Sequence, residues 1–316
     1  MCLLLAAPAL TRADSIVTIN RGGAAQATEA PAGEAEQPVE ETEAAEPEEA
    51  PAETAAPAAP DVSLSALRGY DSQLGYVYVT LGHYPQTAEG GVEPILWRVL
   101  SVEEGHRAYL LSEYILFARC MHANLKEYRD TLKGDFGGTD LCAYLNTTFA
   151  EEAFTEAERA ALTPLENVGL VFLISDEDAN NRQLGLGKQS STKPGPGMRA
   201  WGTEWAIENN GFDPAVYTKR KEKLVGSSNK PMPLQELRLF VYSGARGGSS
   251  SPYWTRSQAG VDKRHARCTK VDGSLGHIEV GRDNEGVRPA VYLDLTRAAI
   301  LGGSGTMEDP YVVGSR

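Results

Sequence analysis

Between Arg21 and Arg68 the chain has no lysine and no arginine. The same stretch carries ten glutamates, from Glu29 to Glu53, together with Asp61, and these hold most of the formal net charge of −13. The acidity is therefore segmental, and the remainder of the chain is close to neutral. Nucleic-acid binding needs a basic stripe that displaces counterions from phosphate, and the sequence shows no such stripe. The basic run Lys219-Arg220-Lys221-Glu222-Lys223 is interrupted by a glutamate and reads as a solvated helix face.

Long apolar runs are also missing. No stretch reaches the roughly 18 to 20 residues that span a bilayer, so no membrane span is expected in the mature chain. Cysteine is scarce, with four in all, and no C-x-x-C spacing is present. A zinc site is not expected. Cys120, Cys142 and Cys268 leave two readings open: one disulfide plus a buried thiol, or three small buried hydrophobes. No Gly-x-Ser-x-Gly elbow occurs, and Gly244-Ala245-Arg246-Gly247-Gly248-Ser249 lacks the Lys-Ser/Thr of a phosphate-binding loop. His83, His106, His122, His265 and His277 are scattered without a metal spacing.

What is present begins with Leu3 to Leu10, a short apolar run followed by Thr11-Arg12-Ala13. Residues 1–13 are expected to be a signal peptide, one without a positively charged n-region. Residues 14–61 then form a linker. From 24 to 60 it is almost wholly Ala, Glu, Pro and Thr, a composition unable to bury enough apolar area to offset the entropy of ordering. Coil scaling gives this spacer a span on the order of 35 Å. A stalk of this kind suits a secreted or cell-surface protein.

Residues 62–316 are expected to form a single globular domain, long enough to enclose a core. Alternation marks strands at Tyr76 to Leu81, Ile95 to Leu100 and Ala108 to Ser112, with turns at Gly82-His83-Tyr84-Pro85, Gly90-Gly91 and Glu104-Gly105. Asp140 is the expected cap of a helix from Leu141 to Asn146, on which Leu141, Tyr144 and Leu145 share a face. Thr155-Glu156-Ala157-Glu158 and Ser175-Asp176-Glu177-Asp178 are capping boxes, opening helices that run to Leu162 and Leu184. Val171 to Ile174 reads as a buried strand, 185–200 and 226–236 as loops, and Thr203 to Asn210 as a helix closed by Gly211. Later strands are expected at Arg238 to Tyr242, Tyr253 to Arg256, Ile278 to Val280 and Arg288 to Leu293. A last edge strand is expected at Asp309 to Val313.

Trp254-Thr255-Arg256-Ser257 and Gly286-Val287-Arg288-Pro289-Ala290-Val291 resemble a bacterial family of secreted and surface proteins, domain of unknown function number 6273. Ile95 to Leu100, Leu110-Leu111-Ser112, Tyr144-Leu145-Asn146, Ala153-Phe154-Thr155 and Val171 to Ser175 follow its order, covering roughly 75–295. Thr255 departs from it, standing where the family has a large apolar residue. The resemblance implies an α+β fold that is C-type-lectin-like, with antiparallel hairpins and a few short helices. It is distantly similar to the formylglycine-generating, sulfatase-modifying domains.

Arg256 and Arg288 lie in apolar strand contexts, where a guanidinium must be paired or stacked. Together with Trp97 and Pro289 they are expected to be structural. An Arg fork between backbone carbonyls, or a stack on Trp97 or Trp254, would satisfy them. Arg199, Trp201, Trp205, Tyr253 and Trp254 are candidate ligand anchors, since aromatics and arginine dominate binding surfaces; core packing of Trp205 and Trp254 is the competing reading. Asp283 and Asn284 complete the candidate set. With Glu285 they offer oxygen ligands that calcium accepts, but the paired motifs of calcium-dependent lectins are missing and a hairpin turn is the better reading. No catalytic residue, metal ligand or cofactor is expected. The expected function is a non-enzymatic binding module for an extracellular glycan, peptide or envelope component. An enzyme akin to formylglycine-generating domains, disfavoured by the isolated Cys268, and a structural or assembly domain are the alternatives.

Overall fold

The computed structural model describes residues 64–103, 106–188, 195–212, 251–260, 263–270 and 273–316. The chain divides into a unit Met1–Thr54 and a unit Ala55–Arg316, and every element below belongs to the second. The expected signal peptide, acidic linker, 226–236 loop and Arg238 to Tyr242 strand lie outside the described residues.

Strand β1, Val77–Pro85, alternates buried Val77, Val79 and Leu81 with half-buried Tyr78 and Thr80. It pairs antiparallel with β2, Val92–Glu103, which pairs antiparallel with β3, Arg107–Ser112. The expected turn at Gly82 to Pro85 is instead strand, interrupted by a register shift between Thr80 and His83. Gly82 permits this with φ 68, and a Cβ there would meet the Ala153 carbonyl at 2.5 Å. The chain turns one step later, where the Gln86 amide bonds the Gly91 carbonyl.

A two-residue strand β4, Phe117–Ala118, leads into short helical segments. Helix α1 is Leu125–Glu127, and α2 is Asp140–Tyr144. One wide turn, Leu145–Phe149, carries α2 into α3, Ala150–Ala153. Leu141, Leu145 and Phe149 are buried on the inner face, and Tyr144 lies half-buried beside them. The cap of α2 is Thr139, not Asp140: Thr139 is extended and its hydroxyl accepts from the Cys142 amide at 3.2 Å. Asp140 sits one residue too late, and its carboxylate accepts from the Ala123 amide.

Both capping boxes form, on α4, Glu156–Ala160, and later on α5, Asp176–Asn180. Both helices are shorter than expected. After α4 the chain extends into β5, Leu162–Thr163, and then β6, Val171–Phe172. Beyond α5 an extended Asn181 ends the helix well before Leu184. Helix α6, Glu204–Glu208, is capped by Thr203 and followed by Gly211 at φ 69.

The C-terminal third supplies β7, Trp254–Gln258; β8, His265–Thr269; β9, Leu275–Glu279; β10, Gly286–Val287; β11, Ala290–Asp294; β12, Ala298–Gly302; and β13, Tyr311–Ser315. An eight-stranded sheet runs β12-β13-β1-β2-β3-β11-β5, with β6 also on β11. The final strand is internal, because β13 pairs parallel with β1 and antiparallel with β12. The edge belongs to β12, which the sequence pattern did not announce. The expected strand from Arg288 to Leu293 is broken at Arg288-Pro289, so that β10 pairs with β4 while β11 joins the main sheet. Strands β7, β8 and β9 form a separate antiparallel sheet.

The architecture is mixed α+β, dominated by sheet with few short helices. One continuous apolar core fills it, including Trp97, Phe149, Phe172 and Trp254. Among the described residues no helix is long and apolar enough to cross a membrane.

Candidate binding face

The β8–β9 hairpin pairs His265 with Glu279, Ala266 with Ile278, Arg267 with His277, Cys268 with Gly276 and Thr269 with Leu275. Side chains alternate across a strand, so His265, Arg267, His277 and Glu279 share one face, while Ala266, Cys268 and Gly276 are buried on the other. Small residues inside and polar ones outside orient the hairpin. Gly273, just before β9, takes φ 80, as a tight turn requires.

The register brings the His265 and His277 rings together with centroids 5.5 Å apart and planes at 85°. Arg267 is held from the side by Asp176 of α5, Nε to Oδ2 at 2.9 Å. Burial raises the Asp176 pKa, against the opposing pull of Arg267. Past β9 the chain turns at Gly281-Arg282, where the Arg282 amide donates to the Glu279 carbonyl at 3.2 Å. A cavity of about 420 Å³ opens here, lined by His265, His277, Ile278, Glu279, Gly281 and Arg282. Among the described residues no ion pair engages Arg282 or Glu279. Asp283, exposed, and Asn284, half-buried, continue directly from this wall.

The other candidate anchors do not gather at the cavity. Trp201, Tyr253 and Trp254 are fully buried, so in this structure they offer no surface to a ligand. Their polar tips show why such residues sit inside: the Trp254 indole N–H donates to the Arg119 carbonyl at 2.8 Å, and the Tyr253 hydroxyl to the Met198 carbonyl at 3.0 Å. Trp205 is half-buried with its ring against Gly90, and Arg199 is half-buried on the neighbouring segment.

The residues read as structural lie in the core or against it. Trp97 is buried, donates to the Leu81 carbonyl and stacks near Phe154. The Pro289 carbonyl accepts from the Ser112 amide. Arg288, fully buried, donates to the carbonyls of Ser112 and Gly197, each at 2.7 Å, and its ring neighbour is Tyr253, not a tryptophan. Arg256 bonds the Leu173 carbonyl and Asp178 and lies 5.7 Å from the centre of the Phe172 ring.

Two features escaped the sequence reading. The buried pair Arg98–Glu113 is one, a two-pronged contact between the middle of β2 and the residue after β3. The other is the cavity itself, whose signal was available: Lys263-Arg264-His265-Ala266-Arg267 and His277-Ile278-Glu279 are polar alternations on either side of Asp272-Gly273. The three described cysteines are free thiols, with Cys142 and Cys268 buried and Cys120 half-buried. Among the described residues no group of three or more His, Cys, Asp or Glu is placed to hold a metal ion.

Comparison with protein-family models, with curated proteins and with solved structures finds no match for this chain.

Proposed function

We propose that this chain is an exported, non-enzymatic recognition module: a C-type-lectin-like domain of the 6273 type, held on an acidic stalk at a bacterial surface. Its ligand would be a glycan, peptide or envelope component. The observation that carries this reading is the cavity on the late hairpin, where His265, His277, Glu279 and Arg282 present donors and an acceptor beside the Asp283-Asn284 turn. Among the described residues the cavity wall has hydrogen-bonding groups but no hydroxyl or thiol nucleophile, which favours binding over covalent chemistry. Cys268, the residue an oxidase akin to formylglycine-generating domains would need, is buried, and burial followed by the adjacent Glu285 pushes its thiol pKa up.

The test is binding of the full chain to an array of glycans, peptides and cell-wall fragments, with and without calcium. A specific ligand weakened by His277→Ala supports the reading. Silence in both conditions overturns it.

A role in assembly is the second reading, favoured by Leu301 and Val312, which stand 52% and 45% exposed on the β12–β13 edge of the main sheet. A concentration-dependent change in mass, abolished by Leu301→Ser, would select it.

A further inference from the structure

The cavity's chemistry narrows the ligand, on the premise that the late-hairpin face is the binding face. Among the described residues its charged lining is one guanidinium and one carboxylate, Arg282 and Glu279, three residues apart around the turn after β9. Neither has an ion-pair partner among the described residues, so each can meet a ligand without first giving up a bond. Arg282 is exposed, and its planar fork matches a carboxylate in a two-point contact. Glu279 accepts only; it suits hydroxyl groups and repels a second anion placed close to it. The two imidazoles at 85° to each other offer ring edges and a face in different directions, as a ring bearing several hydroxyls requires. Lys263 and Arg264, exposed at the strand's start, add positive potential around the rim.

A dense polyanion would set its second charge against Glu279. A neutral sugar would leave Arg282 without a partner. We infer that the cavity takes a saccharide bearing an isolated carboxylate, a uronic-acid type of unit, with the carboxylate on Arg282 and ring hydroxyls on Glu279 and the histidines. No covalent step is involved.

The experiment uses the full chain and three labelled probes followed by fluorescence anisotropy: a neutral oligosaccharide ending in a single uronate unit, the same oligosaccharide as its methyl ester, and inorganic polyphosphate. The ester removes the charge and adds only one methyl group. The expected result is that the acid binds, the ester binds at least about tenfold more weakly, and Arg282→Gln lowers affinity for the acid by about 10- to 100-fold, the worth of a charged hydrogen-bonding contact. Glu279→Gln should raise affinity for polyphosphate and weaken that for the acid. The inference is overturned if acid and ester bind alike, if polyphosphate binds best to the unaltered chain, or if none of the three binds. In any of these cases, a ligand from the wider array that still depends on His277 leaves the binding face standing, whereas no such ligand removes both.

Discussion

The guanidinium of Arg288 lies 5.3 Å from the centre of the Tyr253 ring, and its Nη1 donates to the Tyr253 hydroxyl at 3.2 Å. That hydroxyl in turn donates to Met198, so one fully buried phenol ties the residue before β7 to the strand break at Arg288-Pro289 and to the 196–198 turn. Replacing Tyr253 by Phe leaves a buried carbonyl and a buried N–H unsatisfied. A loss of about 1–3 kcal/mol in denaturant unfolding is expected. A change below about 0.5 kcal/mol would show that the relay contributes nothing.

The Arg98–Glu113 pair joins β2 to the residue after β3, with both side chains buried and the guanidinium 5.1 Å from the Tyr76 ring centre. Glu113→Leu alone strands a buried positive charge and should cost about 3–5 kcal/mol. Arg98→Met with Glu113→Leu removes both charges and should recover most of that loss. Equal destabilisation by the single and double variants would contradict this reading.

Glu158 serves two elements. Oε2 closes the capping box on the Thr155 amide at 2.8 Å, and Oε1 accepts from the Gly82 amide at the β1 bulge at 3.1 Å. Glu158→Ala should cost about 1–2 kcal/mol, and the exposed Glu151→Ala about nothing. Thermal unfolding of the two variants side by side checks this.

The thiols give a pH dependence. Burial pushes Cys142 up to about 11, with a smaller opposing pull from Asn146, and raises Cys120 and Cys268 as well. A raised acid pKa favours the neutral thiol in the folded state. Its contribution to stability is complete below the unfolded value near 9 and is lost as pH rises toward 11. At pH 8 little thiolate forms, so alkylation of the native chain should be slow, with the half-buried Cys120 modified before Cys142 and Cys268. Mass mapping of iodoacetamide adducts before and after unfolding reads this directly. Rapid modification of Cys268 in the native chain would contradict it.

Much of the local structure was legible because its causes are local. The two capping boxes, the Thr203–Gly211 helix and the strands around Val79, Trp97 and Leu110 follow from side-chain hydrogen bonding and period-two alternation. What was missed depends on distant partners. Gly82 reads as a turn until the carbonyl of Ala153 occupies the space where a side chain would stand. The terminal strand reads as an edge until β12 covers it. In a one-dimensional string Tyr253 looks like a surface anchor and Trp254 like either anchor or core, since aromatic side chains serve both roles; in the structure both are buried, bonded to the Met198 and Arg119 carbonyls. The cavity required pairing two polar strands across Asp272-Gly273, a step that composition and histidine spacing do not supply.

The binding face is tested most directly by presenting full-length chain, unaltered or carrying His277→Ala with Arg282→Ala, to one array of glycans, peptides and cell-wall fragments. Both substitutions fall on exposed side chains and should leave unfolding within about 0.5 kcal/mol of the unaltered protein. The account predicts a specific ligand for the unaltered chain that the double variant loses by tenfold or more. A ligand held equally well by both proteins would contradict it and place recognition elsewhere on the fold.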